Sequence, residues 1–425
     1  MEDGVSRGTD SDGPAAGEGA GGRAGGGGGA GGGGIGGGGG AGGAGGTRVA
    51  FTLDPARAAW ADRIRALAAE RLKPLAEAGE PGRVNRPLLA ELGALGLLAR
   101  VLPGDGAPVS ALDLCVLRES LARECTEAET ALALQGLGAH PLLTAPAVAA
   151  RWLPEMTSGR AVAAFALTEP GAGSDAAALS LAAEPDGAGR WRLTGEKCWI
   201  SNAPEADILT VFARTAPGPG PGGSGARGVT AFAVPADRPG LTGEHLDMLS
   251  PHPIGRLVFD GVPVGADDLL GVPDHGFRTA MATLDLFRPS VGAFAVGMAQ
   301  AALDAAVAHA GERTAFGGPL KDLQAVAHPL AEMATRTEAA RLLVHAAATA
   351  YDTGAADLTA RAAMAKLYAT ETAQYVVDAA LQIHGARALR RGHLLEHLYR
   401  EVRAPRIYEG ATEVQRTIIA RELYR

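Results

Sequence analysis

The chain has 425 residues, 47% of them hydrophobic and 20% charged, with a formal net charge of −8. At about 150 residues per domain this length allows two or three domains with a sizeable core. A mildly acidic chain without a basic run argues against nucleic acid and anionic membranes as partners.

In chain order, residues 1–46 come first: they hold 25 of the 61 glycines, leaving 36 for the rest, and about −3 of the net charge. Gly and Ala offer almost no side chain to bury and much backbone entropy to lose, so this tail is expected to be disordered. Its acidic start resembles neither a signal nor a transit peptide, and no apolar run reaches the ~18 residues of a membrane span. Three cysteines (Cys115, Cys125, Cys198) without CxxC spacing support neither a disulfide framework nor a Cys-rich zinc site, and a reduced, cytoplasmic setting is expected. A helical region is expected over 47–160, with helices over Ala58–Glu77, Pro87–Leu97, Ala111–Glu124 and Glu127–Leu137. Leu88, Leu92, Leu95 and Leu98 mark one buried face.

Over 161–275 the period shortens. Trp191–Thr194, Ile208–Phe212, Val229–Val234 and Arg256–Phe259 read as strands, with turns at Pro185-Asp186-Gly187 and Asp260-Gly261. Such spacing leaves no room for crossover helices, which predicts an antiparallel barrel or sandwich. Pro217–Gly228 reads as an inserted loop. From 276 to 425 the chain is helical again, over Phe277–Gly311, Leu323–Thr353, Leu358–Ile383 and Gly392–Val402. Leu330, Met333, Thr337, Ala340 and Val344 step along a bundle face. Thr412-x-x-Gln415 has the form of a capping box opening a last helix. The order is α+β: a helical domain, a β domain and a helical bundle, not a doubly wound nucleotide fold.

Four segments could carry chemistry. Phe165–Asp175 is a Gly-rich turn that either shapes the backbone or exposes N–H groups to an anion or a planar ring. In Leu193–Ala203, Trp199 beside Ser201 is either a core Trp or a stacking platform for an aromatic cofactor. Arg313-Thr314-Ala315-Phe316-Gly317, with Gln324 after it, closes a helix. Arg406–Arg416 places Glu409 before the last helix, as a solvated acid or a base held at a cofactor.

Together these segments resemble the acyl-CoA dehydrogenase flavoprotein family: an ALTEPGAGSD-type loop, a GxKxWIxNA strand, an RxxFG helix end and a YEG segment, over roughly 161–425. The family implies that Phe165, Leu167, Thr168, Gly173 and Ser174, with Trp199, Ile200 and Ser201, line the flavin of FAD. Thr168 would meet the pyrimidine end of the ring, and Ser174 the phosphate and the substrate's pantetheine arm. It places Arg313, Phe316, Gln324, Gln382, Gly385 and Ala386 at the FAD diphosphate and adenosine across a subunit contact, and Ala411 and Glu413 beside the cofactor. Asp285, Arg288, Tyr408 and Gly410 match positions near the thioester, and Glu409 matches the base. Phe287 fills the alternative base position. Departures are Gly104-Asp105-Gly106-Ala107 where members carry Tyr-Gly-Gly, and Ala411, His384, Ala386 and Ala315 at positions of frequent family contacts.

The resemblance further implies an acyl-CoA substrate, a dimer of dimers with FAD at the interfaces, and an electron-transfer flavoprotein as acceptor. Same-fold alternatives are a carrier-protein-bound acyl group and an oxygen-using oxidase or monooxygenase. A different class is suggested by His393-Leu394-Leu395-Glu396-His397, which fits the H-x-x-E-H zinc-peptidase pattern. Its third ligand is missing from the motif, and Arg390, Arg391, Arg400 and Arg403 surround it.

Overall fold

The computed structural model describes residues 53–104, 107–218, 220 and 225–425. The Gly/Ala tail, Asp105-Gly106 and part of the Pro217–Gly228 loop lie outside these residues.

The first helices begin where their sequence supplies a cap. α1 (Pro55–Leu67) starts after Asp54, whose carboxylate accepts from the Arg57 N–H at 2.9 Å, with Pro at the first helical position. It runs through a π-turn (Ala68–Leu72) into α2 (Lys73–Glu77). Asn85 caps α3 (Arg86–Ala94) through Leu88 N–H at 3.0 Å. The helix expected over Pro87–Leu97 is broken there: Gly96 takes φ +70, and α4 (Leu97–Val101) starts in a new direction. α5 (Ala111–Glu124), α6 (Thr126–Ala139) and α7 (Pro146–Thr157) complete this layer. Leu88, Leu92 and Leu98 are buried as their spacing predicts, with Leu95 half-buried.

Eight strands follow: β1 (Ala163–Ala166), β2 (Ala182–Pro185), β3 (Arg190–Ser201), β4 (Ile208–Arg214), β5 (Val229–Pro235), β6 (Leu241–His245), β7 (Ile254–Gly265) and β8 (Leu269–Leu270). They make one sheet in the order β6-β7-β3-β2-β4-β5-β8, with β1 beside β4. The sheet is not wholly antiparallel, because β1 pairs with β4 in parallel, Ala163 opposite Ile208. Asp260-Gly261 is no turn. It lies inside β7, where the register with β3 slips between Leu193 and Gly195: Asp260 and Gly261 face the single Thr194, and the one extra residue is absorbed as a bulge. β4 and β5 are buried on both faces, which is why they read as unbroken apolar runs.

The last layer is α8 (Gly276–Glu312), a short hairpin of β9 (Thr314–Ala315) and β10 (Gly318–Pro319), then α9 (Gln324–Asp352), α10 (Leu358–His384), α11 (Leu394–Glu401) and α12 (Thr412–Glu422). Contrary to the expectation from the sequence, α8 contains an 18-residue window long and apolar enough to span a membrane, but 72% of that window is buried inside the protein. It is apolar because α5, α9 and α10 surround it. Small residues allow that approach: a Cβ at Gly297 would stand 2.5 Å from the Glu119 carbonyl oxygen on α5.

Candidate active site

The Gly-rich loop is fastened from behind by a buried lysine. Lys197, fully buried on β3, donates from Nζ to the Leu167 carbonyl and to Glu169 Oε1, both at 2.8 Å. Glu169 also accepts from Ser180 N–H (2.7 Å), the Ser180 hydroxyl (2.9 Å) and Leu181 N–H (2.9 Å). Burial works to raise the Glu169 carboxyl, but Lys197 and these donors hold it below the ordinary carboxylate value. Burial pushes Lys197 down to about 8. The next carbonyl, Thr168, accepts from Cys198 N–H at 3.0 Å. Two successive carbonyls are thus drawn onto β3. The hydroxyls of Thr168, Ser174 and Ser201 make no hydrogen bond among the described residues.

The strand that carries Lys197 then breaks register. Between Lys197 and Ile200 the pairing with β7 shifts, and Trp199 takes φ +56. A bulge re-aims one side chain: Cys198 and Ile200 remain buried while Trp199 is 49% exposed. Trp199 is therefore not a core residue. Phe165, Leu167 and Ile200 face inward instead, with the Phe165 ring 4.9 Å from that of Phe212. They offer a ligand backbone more than side chain. Gly173 and Ser174 are exposed on the loop.

Glu409 lies in the short approach to α12 at φ +51, an uncommon backbone state for a residue with a Cβ. Its peptide is held from three sides. The Glu409 carbonyl accepts from Arg288 Nε (3.4 Å) and Gln415 Nε2 (3.2 Å). The Gly410 carbonyl accepts from Lys366 Nζ (2.7 Å) and Gln415 Nε2 (2.9 Å). Arg288 is itself paired with Asp285 at 2.9 Å. The expected capping box is not formed. Ala411 occupies the N-cap, Thr412 donates its hydroxyl to Glu371 at 2.9 Å, and Gln415 serves the carbonyls of the bent segment rather than free N–H groups. A strained turn needs those donors more than the helix end does.

The Glu409 side chain differs from its backbone in having no partner. Oε2 is enclosed and makes no hydrogen bond. Burial pushes the carboxyl above the ordinary value of 4.5, against the pull of Arg118, Arg288 and Lys366. A carboxylate so placed is a stronger base than one in water. Lys366, pushed down to about 8 by burial, and Arg118 were not among the residues singled out from the motifs. Their signal was a charge in an Ala/Leu-rich helix, which sequence alone reads equally well as a surface residue. Tyr408 is 37% exposed, and Glu413 pairs with Arg416 at 3.8 Å.

A second group stands apart. Arg313, Phe316, Gln324, Gln382, Gly385 and Ala386 are exposed. Phe316 (φ +55) and Gly317 (φ +89) form the β9–β10 turn, which leaves Phe316 94% exposed. The His309 and His384 rings stack at 4.2 Å and bring the C-terminal ends of α8 and α10 together. No hydrogen bond or ion pair joins this group to Glu409 or Thr168 among the described residues. An open depression of about 450 Å³ among Arg336, Glu371, Tyr375 and Arg406 contains none of the site residues.

The zinc-peptidase reading is overturned. His393 Nδ1 accepts from Leu395 N–H (3.1 Å), Glu396 pairs with Arg400 (2.8 Å), and His397 Nε2 meets the Thr126 hydroxyl (2.6 Å). The three side chains serve three different neighbours, and the described residues hold no cluster of acids, histidines or cysteines placed for a metal.

Comparison with known proteins bears on the family and the fold. Family models for the N-terminal, middle and C-terminal domains of acyl-CoA dehydrogenases match residues 54–160, 164–262 and 274–424. Cyclohexane-1-carbonyl-CoA dehydrogenase of Geobacter metallireducens is 35% identical over 371 residues, 85% of this chain and 96% of the relative. The structure of butyryl-CoA dehydrogenase from Megasphaera elsdenii superposes with a TM-score of 0.81 at 31% identity, covering 89% of this chain and all of that one. An FAD complex of PigA superposes with a TM-score of 0.81 at 25% identity, over 88% and 99% of the two chains. The chain belongs to the acyl-CoA dehydrogenase family.

Proposed function

We propose that this chain binds FAD and removes hydrogen across the α,β bond of an acyl-CoA thioester, with Glu409 as the base. The observation that carries the reading is the enclosed, unpartnered Oε2 of Glu409 on a peptide pinned by Arg288, Lys366 and Gln415. A solvated carboxylate is too weak to take the α-proton of a thioester quickly. Burial raises its basicity, while Arg118, Arg288 and Lys366 keep it from becoming so reluctant to ionise that it is lost as a base. Asp285 holds Arg288, so that the guanidinium stays beside the base segment.

The free hydroxyls of Thr168, Ser174 and Ser201 and the exposed indole of Trp199 fit a flat heteroaromatic ring that needs both stacking and hydrogen bonds. When bound, FAD supplies the two-electron acceptor for the hydride that leaves the β-carbon. Arg313, Phe316, Gln324, Gln382, Gly385 and Ala386 are exposed and separate from the base, which suits contacts to the diphosphate and adenosine of a cofactor shared across a subunit contact. We therefore take the working form to be a dimer of dimers, with an electron-transfer flavoprotein as acceptor. Glu409→Gln tests the reading. It is expected to retain yellow cofactor yet fail to bleach when an acyl-CoA is added without oxygen. Bleaching at the native rate would remove Glu409 from the mechanism.

A further inference from the structure

From Glu409 to Ala411 no main-chain N–H makes a hydrogen bond among the described residues. The bend, with φ +51 at Glu409 and +95 at Gly410, is therefore kept by side chains rather than by a backbone ladder. Arg288, Lys366 and Gln415 hold the two carbonyls in its middle. Its ends are held by one carboxylate on α10. Glu371 Oε1 accepts from Arg406 Nε at 3.0 Å and from the Thr412 hydroxyl at 2.9 Å, and Oε2 meets Arg406 Nη2 at 2.9 Å. Arg406 stands three residues before Glu409, and Thr412 three residues after it. A single oxygen thus touches both flanks of the base, with a two-pronged ion pair on the entry side.

Contact and exposure separate this clasp from the other charges near the base. Arg118, paired with Glu129, is 3% exposed and makes no hydrogen bond to the base segment among the described residues. The Arg406 and Glu371 side chains are 29% and 33% exposed and line the open depression beside Arg336 and Tyr375. An ion pair so wetted adds little to folding stability. Its contacts nevertheless go to the segment whose geometry decides where the Glu409 carboxyl sits. Oε2 of Glu409 has no partner, so no hydrogen bond there corrects its aim if the backbone turns.

Resting on the dehydrogenase reading above, we propose that Glu371 is a positioning residue: through Arg406 and Thr412 it holds both ends of the base segment and sets the reach of the Glu409 carboxyl to the α-carbon of the thioester. A misplacement of about 1 Å costs on the order of a hundredfold in rate, so a clasp of small worth to the fold has a large effect on proton transfer.

The test compares the FAD-loaded native enzyme with Glu371→Met, which deletes both acceptors, and Glu371→Gln, which keeps one acceptor oxygen without the charge. Glu371→Met is expected to retain FAD and to melt within about 3 °C of the native protein. It is expected to bind the inert thioether S-butyl-CoA within about threefold of native in calorimetry, yet to bleach at least about tenfold more slowly at saturating butyryl-CoA without oxygen. Hydrogen exchange is expected to quicken at least about threefold at the Tyr408 and Gln415 amides, in peptides spanning 404–415, and to stay unchanged in α10. Glu371→Gln is expected to bleach at least about threefold faster than Glu371→Met, because the hydrogen bonds rather than the charge do the holding. Native bleaching by Glu371→Met overturns the proposal. So do unchanged exchange over 404–415, a loss carried by weaker S-butyl-CoA binding, or a Gln variant no faster than the Met variant. If these differences fail while butyryl-CoA bleaches the native enzyme, only this proposal falls. If no thioester bleaches the native enzyme, the dehydrogenase reading falls and carries this proposal with it, whatever the exchange shows.

Discussion

Lys197→Met tests how the cofactor loop is held. The substitution removes the only cation bonded to Glu169 among the described residues, a glutamate that is itself 4% exposed, and leaves the Leu167 carbonyl without its Nζ donor. Breaking one side of a buried pair costs about 3–5 kcal/mol, since the surviving charge stays out of water. Here the loss is expected near the lower end, about 3 kcal/mol, because Ser180 and Leu181 still give Glu169 three donors. Adding Glu169→Gln removes the stranded charge while an amide oxygen continues to accept from Leu181. The double variant is therefore expected to recover about 1–2 kcal/mol relative to the single one. Urea unfolding of the four proteins of the cycle, followed by tryptophan fluorescence, reads these values. A loss below about 1 kcal/mol for Lys197→Met, or strict additivity in the cycle, would refute the view that a buried ion pair fastens the loop.

Other consequences can be measured directly. The kcat/KM for flavin bleaching is expected to rise with pH through a limb above 4.5, because the base works only when ionised and burial holds its proton on. In Arg118→Met/Glu129→Leu that limb moves to higher pH, since the cation that most favours the ionised Glu409 is gone; a limb that moves down or stays put contradicts this sign. Gly410→Ala puts a Cβ 2.4 Å from Gln415 Nε2 at a residue with φ +95, so it is expected to displace the base segment and slow bleaching by at least tenfold with FAD still bound. Gly297→Ala drives a methyl to 2.5 Å from the Glu119 carbonyl, and its clash with backbone outweighs the helix preference of Ala. A loss of about 2 kcal/mol is expected in thermal or urea unfolding, with little change in the pH profile.

What the sequence disclosed follows from where its information is local. Helices α5 and α10 were legible to within a residue or two because apolar periodicity and Gly/Pro breaks act over one turn. β1 was not recognised, since Ala163-Ala164-Phe165-Ala166 is a short strand whose identity comes from its partner β4, 45 residues away. Trp199 was legible as a candidate but not as exposed, because the bulge that turns it out depends on the register with β7. Lys366, Arg118 and Glu129 were hidden for the same reason: a charge in a helix is buried or solvated according to neighbours that no local pattern names.

The base segment joins these two kinds of information. Gln415 has the right spacing to cap α12, and a reading confined to that helix assigns it there. In the folded chain Ala411 takes the cap position, and the amide turns back to carbonyls at Glu409 and Gly410. The positive φ of Glu409 explains the exchange. A backbone bent into that region leaves its carbonyls away from any helix ladder, and buried carbonyls without donors cost about 1–3 kcal/mol each. Gln415, Lys366 and Arg288 supply donors from three helices, so the bend is held by side chains that packing has already fixed. All of the polar satisfaction goes to the peptide, and Oε2 of the side chain is left without any. That division is what a base requires: a rigid backbone carrying a carboxyl oxygen with no competing proton donor.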